Sequence, residues 1–440
     1  MTKITILFYS SPNYSGHAKA LYDFINKKYS SKFNIYWAVD KKEDYDKLKN
    51  SINCVLYPST KFNKIFKSVD IIFTTHGQLM NEKRKNQIYV NLWHGIGPKK
   101  IGYTLDEKNL APQDKEFYFN LRRIVDYMIC PSYFWQMVYS EKFKTSSYRI
   151  LPIAYPKLDD IVYSDGKKNL NKILDIDITK YNKVILYTPT FKKGLGRKDE
   201  NANKNNLFDL EKYDENILLN FLEKENYLLL IKYHPSEETK FKKVSHSNVK
   251  YITESLLKSN GLNINNILNG TNVLITDYSS LGVEYTILDK PVIYLDNNIE
   301  EYKKNRGILF DSGKFWMEKK ASNIDELIYV ISKCKKKEIS RNKEIFYGEL
   351  MDGGCDNIIN YFFDKSFKLK KSITPYKDEY DDLLEKYNQY TFKHEKELNK
   401  AIDEKNCYKV ENQELRNELY SIYNSKTWKF IERIKRMLRK

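Results

Sequence analysis

The sequence has no long apolar run. No stretch of its 440 residues approaches the roughly 18–20 apolar residues of a membrane-spanning helix, which excludes a helical membrane-embedded protein. The N-terminus, MTKITILFYSSPNYSGHAK, lacks the long apolar region and small-residue cleavage site of a secretory signal, so the chain is expected to stay in the cytoplasm. Cysteine is scarce. Cys54, Cys130, Cys334, Cys355 and Cys407 are odd in number, far apart and contain no CxxC pair, which argues against a disulfide framework and against a zinc site. No GxxxxGK[ST] loop and no GxGxxG turn occurs, so the P-loop and simple dinucleotide-binding readings fail. No DxD motif stands at a strand end; Asp175-Ile176-Asp177 lies in a polar stretch. No metal and no cofactor is expected.

What is present is positive charge: 75 basic against 58 acidic residues, a net +17. Such an excess suits nucleic acid, an anionic membrane surface or a phosphate-rich substrate. Against all three stands a compositional bias toward Lys, Asn, Ile and Tyr, which spreads charge without purpose. The length suits two or three domains. An apolar content of 41 % with 14 % aromatics is enough for an ordinary core.

The first 160 residues alternate β-rich runs with helix-like segments. The runs are 4–11, 33–40, 53–58, 70–77, 87–95 and 126–132. Between the first two, Ala18, Leu21, Tyr22 and Ile25 recur at helical spacing. The alternation restarts with runs at 183–191, 227–235, 248–253, 271–280 and 290–296. The strands read as continuous apolar runs, as in a parallel sheet covered on both faces. The polar stretch 164–177 between the halves reads as a linker. This predicts an α/β fold with two doubly wound domains facing a cleft, over residues 1–165 and 166–365, and a helical tail over 366–440. Ligands in such folds sit at the carboxyl ends of the strands.

Four motifs occupy strand ends. In NLWHGIGPKKIGY (91–103), His94 is a residue type suited to deprotonating a hydroxyl near neutral pH. Gly95 and Gly97 let backbone N–H groups approach an anion, and Lys99 and Lys100 supply charge. In YTPTFK (187–192), Thr190 offers a hydroxyl and Lys192 a charge. In KYHP (232–235), alternation puts Lys232 on the same side as His234. In TDYSSLGVEY (276–285), Asp277 ends a strand and Ser279 and Ser280 open a helix, where hydroxyls and free N–H groups bind phosphate. Glu284 follows on the face of Ser280. Taken singly each motif has a bland reading, as turn, strand exit or helix cap.

Taken in order, Trp93-His94-Gly95, Pro98-Lys99-Lys100-Ile101-Gly102, Tyr155-Pro156-Lys157, Pro189-Thr190-Phe191-Lys192, His234-Pro235, Thr276-Asp277-Tyr278-Ser279-Ser280 and Asp289-Lys290-Pro291 resemble the CDP-glycerol glycerophosphotransferase family. That family includes teichoic acid polymerases and capsule-building relatives. The resemblance implies a GT-B-like fold and transfer of a polyol phosphate from a CDP-alditol to a lipid-linked acceptor, with release of CMP and no required metal. It makes His94 the general base and His234 a donor-phosphate contact. It makes Lys157, Thr190, Ser279, Ser280 and Glu284 donor contacts; Gly95, Lys99, Lys192, Lys232 and Asp277 join them as expected substrate contacts by residue type and strand-end position. The chain departs from the usual pattern in carrying Ile96 for Thr, Lys157 and Lys192 for Arg, and Glu284 for Asp. A lysine lacks the bidentate fork of arginine, so CDP-glycerol, CDP-ribitol and other CDP-alditols stay open. The alternative is a GT-B glycosyltransferase using a nucleotide sugar for surface polysaccharide, which the fold class alone does not separate.

From about 376 the sequence changes character. Residues 376–424 are highly charged, hold no Gly or Pro, and predict a long helix. Leu383, Tyr387, Tyr390 and His394 form a poor heptad pattern, so pairing of chains through this helix is open. The last fifteen residues hold seven basic residues and one acidic. Trp428, Ile431, Ile434 and Leu438 share a helical stripe beside Phe430, and Arg433, Lys435 and Arg436 surround it. This is the pattern of an amphipathic helix on an anionic membrane. The charge therefore reads as membrane plus phosphate, with no nucleic-acid partner, and places the chain peripherally on the cytoplasmic face of the plasma membrane.

Overall fold

Two parallel sheets organise the chain in a computed structural model, which describes residues 3–97, 99–105, 110–189, 206–235, 238, 243–295, 299–310, 317–341, 343–348, 353–373 and 379–438. The first sheet has seven strands in the order β3-β2-β1-β4-β5-β6-β7. These are β1 (Thr5–Tyr9), β2 (Asn34–Val39), β3 (Cys54–Leu56), β4 (Ile71–Thr74), β5 (Ile88–Asn91), β6 (Tyr127–Cys130) and β7 (Ile150–Pro152). The second has six, in the order β10-β9-β8-β11-β12-β13. These are β8 (Lys183–Thr188), β9 (Tyr227–Ile231), β10 (Val249–Tyr251), β11 (Val273–Thr276), β12 (Val292–Leu295) and β13 (Lys320–Ala321). Every pairing is parallel. The α/β reading with two Rossmann-like halves and C-terminal helices holds.

Both sheets reverse strand order once, between β1 and β4 and between β8 and β11. Those switch points are where a doubly wound sheet opens a crevice beyond its carboxyl edge. The strands are apolar throughout because both faces are covered: β1, β4, β5, β6, β8, β9, β11 and β12 are buried along their whole lengths. Phe8 anchors the first sheet, stacked 5.8 Å from Trp37 and 5.3 Å from Phe73. Helix α1 (Gly16–Tyr29) buries Ala18, Leu21, Tyr22 and Ile25 against it, the face its spacing predicts.

The polar stretch between the sheets is not an extended linker. Asp165 caps a helix over Gly166–Leu174 by accepting from the Lys168 N–H at 3.1 Å, and Leu170 and Ile173 are buried. Gly166 packs so closely on Gly270 that a Cβ there would meet the Gly270 nitrogen at 2.2 Å. After the second sheet the chain returns. The helix Gly354–Phe362 docks on the first sheet through Phe362, whose ring lies 6.0 Å from Phe73 and 5.5 Å from Tyr127. The N–H groups of Gly354 and Cys355 donate to the Asp159 carboxylate at 3.1 and 3.0 Å. Residues 1–375 thus form one compact unit and 376–440 a second.

Phe8→Ala would open a cavity at the aromatic stack. It is expected to cost about 3–5 kcal/mol of stability, read as a lowered midpoint of chemical denaturation.

Candidate active site

The first sheet presents two histidines at adjacent strand ends. β4 runs into Thr75 and His76, and β5 into Leu92, Trp93 and His94. The Asn91 side chain accepts the Trp93 N–H at 2.8 Å and supports a left-handed turn at Trp93, φ 55°. Such a φ is strained for a bulky residue. Burial of the indole against Phe143 at the end of α2 (Tyr133–Phe143), 4.8 Å away, holds it. The turn brings the His94 ring flat onto His76, with centroids 4.1 Å apart and planes 3° from parallel. His94 Nδ1 faces the Thr75 carbonyl at 3.5 Å. A proton on Nδ1 directed at that carbonyl leaves Nε2 as the basic nitrogen.

His94 is solvent-exposed, yet protein crowds its remaining surroundings. That crowding is the main force holding its pKa below the ordinary 6.5; His76 adds to it, the Thr75 carbonyl opposes it, and Lys157 and Lys142 add a further push. The imidazole is therefore neutral at pH 7, the state a proton acceptor requires. His76 is also pushed down by burial. It donates to or accepts from the Thr75 hydroxyl at 2.8 Å.

The second sheet meets this loop at the start of α4 (Ser280–Tyr285). Gly95 has φ 139°, and a Cβ there would lie 2.9 Å from Glu284 Oε1, 3.5 Å from Lys157 Nζ and 3.6 Å from Ser280 Oγ. Lys157 sits in the first turn of α3 (Pro156–Tyr163). Its Nζ is 2.6 Å from Glu284 Oε1, with side chains 12 % and 2 % exposed. Burial raises the Glu284 pKa while Lys157 pulls it back down. Ser279 Oγ accepts the Leu281 N–H at 3.2 Å as the helix cap. Its hydroxyl proton remains free to donate. The Thr276 hydroxyl donates to the Thr188 carbonyl at 2.7 Å and ties the ends of β11 and β8 at the switch point.

His94, Gly95, Lys157, Ser280 and Glu284 thus come together. Asp277 and Ser279 are half-buried beside them in sequence. Lys99 is exposed and forms an antiparallel bridge with Ile308. His234 is exposed, whereas Lys232 is buried with its Nζ 3.1 Å from Glu254. β9 ends at Ile231, so strand alternation, on which the expected common side of Lys232 and His234 rested, does not reach them. Thr190 and Lys192 lie outside the described residues. Among the described residues no group of three or more His, Cys, Asp or Glu could hold a metal.

Two histidines escaped the sequence reading. His76 stands in TTHG, the pattern that WHG repeats one strand later, and that repetition was the available signal. His17 on α1 is fully buried, neither ring nitrogen having a hydrogen-bond partner among the described residues. Its ring lies 4.1 Å from that of Tyr155. Burial, Lys157 and His94 all hold it neutral.

Residues 1–348 match the family described as CDP-glycerol:poly(glycerophosphate) glycerophosphotransferase. The chain is 25 % identical over 320 residues to the teichoic acid glycerol-phosphate primase of Bacillus subtilis, covering 70 % of this chain and 77 % of the relative. It is 28 % identical over 287 residues to the teichoic acid poly(ribitol-phosphate) polymerase of Bacillus spizizenii, covering 64 % of this chain but only 41 % of the relative. The solved wall teichoic acid polymerase TagF superposes with a TM-score of 0.60 at 22 % identity, over 88 % of this chain and 90 % of that one. This last likeness carries the fold.

Removing one partner of a buried ion pair leaves the other charge uncompensated. Lys157→Ala is expected to destabilise residues 1–375 by about 3–5 kcal/mol, and adding Glu284→Gln to recover part of the loss. Thermal unfolding of the two variants reads both effects.

Proposed function

The chain belongs to the CDP-glycerol:poly(glycerophosphate) glycerophosphotransferase family, and on that premise we propose that it moves an alditol phosphate from a CDP-alditol to a lipid-linked acceptor. The observation that carries the reading is a neutral, exposed imidazole, His94, held beside lysine, glutamate and serine groups from two facing sheets. His94 Nε2 takes the proton of an acceptor hydroxyl as that oxygen attacks the β-phosphorus of the donor. The new P–O bond replaces the one to the bridging oxygen, and CMP leaves with that bond's electron pair. His234, Lys99, Lys157 and the hydroxyls of Ser279 and Ser280 offset the charge on the phosphates. Asp277 and Glu284 are polar partners for alditol or ribose hydroxyls. Cell-surface polymers of the teichoic acid or capsule type are the products in view.

Purified protein given acceptor and a panel of CDP-alditols is expected to release CMP. Release of UDP or GDP from nucleotide sugars instead would replace this reading with glycosyl transfer. His94→Ala and His234→Ala should each lower the rate by ~10²-fold or more. A general base must be unprotonated, and the His94 pKa lies below 6.5. Activity is therefore retained as pH falls through 6.5, and its acid limb lies lower, in the pH profile of kcat/KM.

The C-terminal end supports a peripheral membrane site. No helix among the described residues is long and apolar enough to cross a membrane. Helix α6 (Lys426–Leu438) exposes Phe430, Ile431 and Ile434 in the company of Arg433, Lys435 and Arg436. Trp428 is half-buried, 5.2 Å from Tyr423 and 6.0 Å below Lys435 Nζ. This surface suits the anionic lipids of the cytoplasmic leaflet. Deleting 426–440 is expected to abolish most sedimentation with anionic liposomes while CMP release to a soluble acceptor persists.

A further inference from the structure

Helix α5 (Glu379–Asn424) is 46 residues long, about 69 Å at 1.5 Å per residue. It carries large side chains in the open: Leu398, Tyr408, Leu415, Leu419 and Ile422 are each at least half exposed. Solitary exposed apolar residues mean little, but these five share one register, with the exposed Val410, Tyr420 and Tyr423 lying outside it. Steps of three and four link Leu398, Ala401, Lys405, Tyr408, Asn412, Leu415, Leu419 and Ile422. In heptad terms Leu398, Lys405, Asn412 and Leu419 take position a, and Ala401, Tyr408, Leu415 and Ile422 take position d. The apolar density rises toward the C-terminal end of the stripe, and the polar steps Lys405 and Asn412 both fall at a. A polar residue there lowers stability and selects register and two-stranded pairing. Asn412 Nδ2 donates to the Tyr408 carbonyl at 2.8 Å, which leaves its Oδ1 for the amide of a facing Asn412.

The flanking charges choose an orientation. Position g holds Glu397, Glu404, Glu411 and Glu418, and position e holds Ile402, Lys409, Arg416 and Tyr423. In a parallel in-register pair, each g residue faces the e residue five positions later on the other strand. Glu404 then meets Lys409 of the other copy, and Glu411 meets Arg416, on either side of Asn412. In an antiparallel pair g faces g and e faces e, which sets glutamate on glutamate and cation on cation. Like-charge juxtaposition of this kind is a device against the wrong pairing.

From this register we propose that residues 398–422 form a parallel, in-register two-stranded coiled coil with a second copy of this chain. The proposal is independent of the reaction assigned above. It depends on a stripe whose occupant must be complementary in both apolar register and e/g charge, and the same segment meets both conditions.

The full-length chain is expected to sediment as a dimer at micromolar concentration. Leu415→Glu with Leu419→Glu should convert it to monomer while thermal unfolding of residues 1–375 is unchanged. Glu404→Lys with Glu411→Lys should weaken the dimer at low salt. Adding Lys409→Glu and Arg416→Glu to the same chain should restore it, because both charge-paired g–e contacts, 404–409 and 411–416, are again of opposite sign. For orientation, Leu415→Cys is placed in a Cys407→Ser background, the other four cysteines being buried. Mild oxidation should then link two chains through position 415. A monomeric full-length chain, or a dimer that survives the Leu415 and Leu419 substitutions, overturns the coiled coil. A dimer that fails to cross-link at 415, or that the four-charge exchange does not restore, overturns the parallel in-register arrangement.

Discussion

A lysine and a glutamate with almost no access to water hold the site together. Lys157 and Glu284 come from elements of different sheets, and Gly95, Ser280 and His94 are arranged around them. Withdrawing two charges from water is costly, and their attraction offsets that cost only at close range. Such a pair therefore tolerates little separation. At 2.6 Å it fixes how near the carboxyl edge of one sheet lies to that of the other. Gly95, Ser280 and through them His94 inherit that spacing.

The histidines show the electrostatic side of the same constraint. Lys157 is a source of positive potential for both His94 and His17, and each is kept neutral in part by it. One cation thus lowers the pKa of two imidazoles on different elements. The backbone contributes in kind. Trp93 takes a positive φ, a strain that buried packing of the indole sustains and that is characteristic of functional turns, while Gly95, also at positive φ, adopts its conformation without that cost.

Much of this architecture was legible in the sequence. β1, β8 and β9 read as unbroken apolar runs because both their faces are covered, and their ends carried the motifs. β7 and β13, of three and two residues, are too short to register any periodicity. The stretch 164–177 looked like a linker because only Leu170, Ile173 and a few neighbours interrupt its polar run. Its helix depends on a backbone contact between Gly166 and Gly270 that no local pattern announces. His94 was legible through its glycine-rich turn, while His17 looked like an ordinary member of an amphipathic helix. The pairing of Lys157 with Glu284 was out of reach, since each looked like a separate substrate contact. The two departures from the expected pattern, Lys157 and Glu284, face each other in this chain.

Gly95 gives this arrangement a dimensional tolerance. With a hydrogen in place of Cβ, the loop clears Glu284 Oε1; with a methyl it would stand 2.9 Å away, inside ordinary van der Waals contact. The glycine works like the thinnest shim in a set, leaving room for the gap that the ion pair sets. A misplacement of about 1 Å can cost on the order of 10²-fold in rate. At position 95 the absence of one carbon atom is what lets the loop carrying His94 and the Glu284 carboxylate share the same space.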